Sequence, residues 1–163
     1  MGIAKAGEFT VGVVPQFDIA TLHKIWNPIL EVLGEKTGHT FKLKGAPNIP
    51  LFEKAFAQGE YDFAYMNPYH YTIADGYTPV VRDHGRQLYG ILVVHKDSKI
   101  TSPEELEGST SAFPAPNALG ASLMIRAELA KRYKVNFTPK FVNTHSSVFL
   151  NTALRLTEAG GGV

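Results

Sequence analysis

The residues able to do chemistry sit in four short turns: Val14-Pro15-Gln16, Tyr65-Met66-Asn67-Pro68-Tyr69, Pro114-Ala115-Pro116-Asn117 and Asn143-Thr144-His145-Ser146-Ser147. Each follows an apolar, strand-like run and precedes a helical one. In open α/β sheets, ligands bind beyond the carboxyl ends of the strands, where helices begin. Unpaired N–H groups at helix starts, flanked by hydroxyl and amide side chains, suit a small oxyanion. His145 adds a hydrogen bond as a neutral imidazole and charge attraction once protonated. Asn67, Asn117 and Ser146 are also ordinary N-capping residue types, so one such turn alone has a purely structural explanation. Four of them on the same strand ends point to a shared site.

Other chemistries lack their residues. The six histidines (23, 39, 70, 84, 95 and 145) have no metal-ligand spacing, and there is no cysteine, so no metal site is expected. There is no G-x-S-x-G elbow, Walker loop or dinucleotide fingerprint, and neither cofactor nor catalysis is expected. Ser146 and Ser147 adjoin His145, but catalytic nucleophile and base usually come from distant segments. The aromatics Trp26, Tyr65, Tyr69 and Tyr71 offer a second ligand class, a small amine or zwitterion in an aromatic cage, and equally serve as core packing. The 163 residues are 44% apolar and 19% charged, with net charge +1, a globular composition without a field for nucleic acid. The first 80 residues carry 6 basic and 8 acidic side chains and the rest 10 and 7, too even to imply a polyanionic partner. No apolar run reaches the roughly 20 residues of a membrane span. The opening MGIAKAGEFT lacks the apolar region of a signal peptide.

The elements that must position these turns alternate strand and helix. Residues 9–14 read as a buried strand stopped by Pro15. Asp18 caps a helix with the apolar stripe Ile19, Leu22, Trp26, Ile29 and Leu33, which Pro28 should kink or split and Gly38 should end. Strands are expected at 39–43 and 61–65, helices at 50–58 and after Asn67, and an edge strand at 78–82. The longest strand signal covers 87–95, followed by a capped turn at 101–106. A second series then places strands at 109–113 and 137–142 and helices at 117–133 and 146–159. The alternation implies an α/β fold of mostly parallel sheet flanked by helices. The organisation expected is a first lobe over residues 1–86, a crossing segment over 87–100 and a second lobe over 101–163.

Seven segments carry a resemblance: Val11-Gly-Val-Val-Pro-Gln16, Trp26-Asn-Pro28 with Leu30, Gly59-Glu-Tyr-Asp62, Tyr65-Met-Asn-Pro-Tyr69, Ser102-Pro-Glu-Glu-Leu-Glu-Gly108, Phe113-Pro-Ala-Pro-Asn-Ala-Leu-Gly120 and Thr144-His-Ser-Ser147. In this order they resemble the phosphate/phosphite/phosphonate-type periplasmic substrate-binding proteins of ABC importers. The resemblance implies a type II periplasmic-binding fold whose two lobes close on a small anion. It implies ligand contacts from Tyr65, Asn67 and Tyr69 in the first lobe. In the second it implies contacts from His145, Ser146 and Ser147, with the histidine aimed at the phosphoryl group, and the turns themselves add Asn117 and Thr144 as candidate contacts. The implied partner is a membrane ABC permease, or a sensor kinase if the chain is a sensory ectodomain, and the implied location is the periplasm or a tether outside the cytoplasm. Two departures stand out. The Ser-Thr-Ser run that grips phosphoryl oxygens is replaced by Pro116-Asn-Ala-Leu-Gly-Ala-Ser122, and a tyrosine before the second helix is Ile49. The resemblance also makes the second lobe truncated. Its two or three strands would leave an open edge and poorly covered Leu119, Leu123 and Leu150, so either a partner chain repairs the edge, through self-association, or the second lobe is loosely ordered.

Overall fold

The computed structural model describes residues 6–85 and 87–163. The chain divides into two compact units, up to Thr78 and from Pro79 onward, where the sequence placed the first boundary at residue 86.

The first unit is built on three parallel strands, β1 (Glu8–Val13), β2 (Thr40–Leu43) and β3 (Phe63–Tyr65), in the order β2-β1-β3. Helix α1 (Ile19–Thr37) starts at Asp18, whose carboxylate accepts from the Thr21 N–H at 2.9 Å, and ends at Gly38 in the left-handed region, φ 71°. The turn needs glycine there because a side chain at that φ is strained. Pro28 does not split the helix. It lies on the exposed side, where water can solvate the carbonyl that its missing N–H would have bonded. Only part of the expected stripe is buried: Leu22 and Leu30 pack with Trp26 against Val11 and Val13, whereas Ile29 and Leu33 remain exposed. Helix α2 (Ile49–Ala57) is capped by Asn48 and buries Phe52 and Phe56. Helix α3 (Pro68–Ile73) follows β3 directly.

The second unit holds a four-stranded sheet of β4 (Ile91–Val94), β5 (Thr110–Phe113), β6 (Thr138–Phe141) and β7 (Ala159–Gly162), ordered β4-β7-β5-β6. β5 runs parallel to both neighbours, and β4 is antiparallel to β7. A 3-10 turn at Pro103–Leu106 carries the expected Ser102/Glu105 capping box. The helical run after β5 comprises wide turns at Leu119–Met124 and Leu129–Tyr133 around α4 (Ile125–Glu128).

Several expectations change here. The helix expected over 146–159 is α5 (His145–Ala153), and the glycine run beyond it is a fully buried interior strand. The sheet of the second unit therefore has four strands: β5, β6 and β7 within the expected second lobe, and β4 within the expected crossing segment. Glycine is a poor strand former, but close approach demands it: a Cβ on Gly161 would lie 2.2 Å from the Ala121 carbonyl oxygen, and one on Gly160 would lie 2.5 Å from Thr152 Oγ1. The strand expected over 87–95 shrinks to four residues because β7, its partner, has only four. The edge strand expected at 78–82 does not form, and Val80 and Val81 are exposed. Leu150 is exposed, while Leu119 and Leu123 are half-buried.

Candidate functional site

In the first unit, the Val14 N–H donates to the Tyr65 carbonyl at 3.0 Å, so the turns after β1 and β3 lie at the same end of the sheet. Tyr65 is half exposed, and its ring centroid stands 5.0 Å from that of Trp26. Asn67 caps α3, its Oδ1 accepting from the His70 N–H at 2.8 Å. Tyr69 is half-buried with its ring 6.1 Å from that of His70. Among the described ring contacts, Trp26 meets Tyr65, while Tyr71 takes part in none and is exposed.

His70 anchors this loop. Its ring is fully buried against Phe52 and Phe56, at 5.6 and 5.8 Å, and Glu53 Oε1 lies 3.2 Å from its Nε2. Burial pushes its pKa down to about 4, which leaves a neutral ring at pH 7.

In the second unit, the Val142 N–H donates to the Phe113 carbonyl at 2.9 Å, so the turns after β5 and β6 also share one end of their sheet. Thr144, not Ser146, is the N-cap of α5. It has the extended backbone a cap requires, and its Oγ1 accepts from the Ser147 N–H at 3.0 Å. Ser146 thereby moves into the first turn and is exposed. Ser147 Oγ lies 2.8 Å from Thr144 Oγ1. The Val148 N–H is taken by the Thr144 carbonyl, so the first-turn N–H groups of His145 and Ser146 are the ones a helix leaves for an external acceptor. His145 is half-buried, and burial lowers its pKa. Asn117, expected at a helix start, precedes the helical run, where Ala118 holds the cap position with no side-chain cap bond.

A residue missing from the sequence reading is Arg126. Its Nε donates to Ser122 Oγ at 3.1 Å and its Nη2 to the Pro116 carbonyl at 2.9 Å, which brings it to the turn after β5. Helical side chains lean toward the helix N-terminus, so the available signal was an arginine one turn beyond Ser122. Among the described residues, no group of three or more acidic, histidine or cysteine side chains could hold a metal. A cavity of about 210 Å³ lined by His95, Asp97, Arg155 and Thr157 and another of about 280 Å³ lined by Lys44, Lys54 and Tyr61 share no lining residue with these turns.

Residues 11–162 match the family described as ABC transporter, phosphonate, periplasmic substrate-binding protein. None of the curated proteins matches the chain. Among solved structures, the chain is similar to PhnD1 from Prochlorococcus marinus in complex with methylphosphonate, at 17% identity and TM-score 0.79, over 94% of this chain and 62% of that one. It is similar to a binding protein component of an ABC phosphonate transporter from Pseudomonas aeruginosa, at 19% identity and TM-score 0.73, over 96% of this chain and 57% of that one. The periplasmic VFT2 domain of BvgS from Bordetella pertussis is also similar, at 19% identity and TM-score 0.59, over 95% of this chain and 66% of that one. The chain thus spans about 60% of the length of the first two, and these likenesses carry the fold.

Proposed function

Because the chain belongs to the family of periplasmic phosphonate-binding proteins of ABC transporters, we propose that it captures a small oxyanion of the phosphate, phosphite or phosphonate class for a membrane permease, without catalysis. Its place of work is the periplasm. The residues assigned to anion contact are Tyr65, Asn67 and Tyr69 in the first unit, and Asn117, Thr144, His145, Ser146 and Ser147 in the second.

One observation carries the reading. At the start of α5, capping by Thr144 uses the Ser147 N–H while those of His145 and Ser146 remain, with an imidazole beside them. Two backbone donors and the positive end of a helix lie at the residue that carries the imidazole. Hydrogen bonds of this kind take an anion at little reorganisation cost, because the helix already fixes the donors.

The neutral imidazole can donate from one nitrogen. A bound anion favours its protonated form, so capture raises the histidine pKa and favours proton uptake. The test is calorimetric titration of methylphosphonate and inorganic phosphate into wild-type and His145→Ala protein. Loss of a hydrogen bond to a charged group costs about 1.5–3 kcal/mol, so the variant should bind roughly tenfold to a hundredfold more weakly. Equal affinity in a folded variant removes His145 from the site.

A further inference from the structure

We infer that Arg126 supplies the positive charge that pairs with the anion in the second unit. The inference rests on the capture reading above and adds a residue to it.

Arg126 is half-buried. Both of its described hydrogen bonds go to neutral acceptors, Ser122 Oγ and the Pro116 carbonyl, and its guanidinium lies 5.6 Å from the Phe141 ring centre. These bonds use two of the five donors of the guanidinium. None of the described ion pairs involves it, whereas Arg132 and Arg155 each hold a carboxylate, at 2.9 and 3.2 Å. The surrounding chain explains why: residues 108–127 and 129–157 contain no aspartate or glutamate. A cation without a carboxylate partner keeps its charge available to an anion. The segments that carry the turns after β5 and β6 thus bring no carboxylate of their own beside the guanidinium.

The placement suits an anion at the strand ends. Pro116 belongs to the turn after β5, and Phe141 ends β6 four residues before His145. Ser122, fully buried, fixes one edge of the guanidinium, and the Pro116 carbonyl fixes another, so the planar fork is preorganised. Between the Pro116 turn and Ser122 the chain has Asn117, Ala118, Leu119, Gly120 and Ala121, none with a hydroxyl, and a fixed cation can act toward a phosphonate where such neutral donors are absent.

The test uses Arg126→Gln and Arg126→Lys with methylphosphonate and inorganic phosphate as probes, titrated at low and high salt, with melting curves to check folding. Arg126→Gln should weaken binding by about tenfold to a hundredfold and flatten the salt dependence, because screening acts on the charge. Arg126→Lys should keep the salt dependence and stay within about tenfold of wild type. If a folded Gln variant binds like wild type, Arg126 is no ligand group. If Gln and Lys lose affinity equally with salt dependence unchanged, Arg126 only braces the Pro116 turn, and the inference is overturned. Should the Gln variant fail to fold, a Lys variant that loses wild-type salt dependence overturns it as well. A wild-type chain that binds neither probe overturns the capture reading itself, and this inference with it. Weakening by His145→Ala with no effect of Arg126→Gln overturns this inference alone.

Discussion

Acid should dismantle the first unit through one side chain. His70 is 0% exposed, and burial moves its pKa from 6.5 to about 4. Because the folded state holds it neutral, the unfolded chain binds more protons between those values, and stability falls as pH drops from 6.5 to 4. Each pH unit of separation is worth 1.36 kcal/mol, so full protonation costs about 3 kcal/mol at most. The Glu53 carboxylate, with Oε1 3.2 Å away, favours the charged ring, so this figure is an upper bound. That is a large share of the stability of a small unit. The consequence reaches the candidate site, because the His70 N–H is the group that Asn67 caps. The assay is urea unfolding at pH 7 and pH 4.5, followed by circular dichroism, for wild type and His70→Phe. Phenylalanine fills similar space among Phe52, Phe56 and Tyr69 but cannot titrate, so the variant should lose markedly less stability on acidification. An equal pH dependence in both proteins would refute the reasoning.

Other expectations follow from packing and from the caps. Gly161→Ala places a methyl group 2.2 Å from the Ala121 carbonyl oxygen in an interior strand and should destabilise the second unit by about 1–3 kcal/mol or more, read as a lower midpoint in urea. Thr144→Ala removes the acceptor for the Ser147 N–H and should cost about 1 kcal/mol, whereas Ser146→Ala should cost almost nothing by the same measurement. The chain has a single tryptophan, and its ring pairs with Tyr65, so methylphosphonate should change tryptophan emission in wild type and much less in Tyr65→Ala.

What the sequence revealed depended on how local the signal was. Asp18, Asn67 and the Ser102/Glu105 box act within one helical turn, and each appears as its residue type demands. The α/β class likewise follows from alternating apolar periods, and the family match and structural neighbours agree with it. Failures came where tertiary contact overrides local preference. Ala159-Gly-Gly-Gly162 has little strand propensity, yet it is the strand that two helical segments can approach closely enough to pack. Thr144 and Ser146 are equally good caps by type, and only the position at which the backbone turns helical selects Thr144. Arg126 was invisible because its partners, Ser122 and Pro116, are brought to it by the helical turn and the loop before it.

The central claim is capture of a small oxyanion, and the melting temperature of the whole chain against ligand concentration tests it most directly. A ligand that binds only the native state stabilises it by about 2.7 kcal/mol at a hundred times its Kd. Methylphosphonate, phosphite or inorganic phosphate should therefore raise the melting temperature progressively, and a quaternary amine at the same ionic strength should not. A melting temperature unmoved by all three anions, or raised only by the amine, would contradict the account.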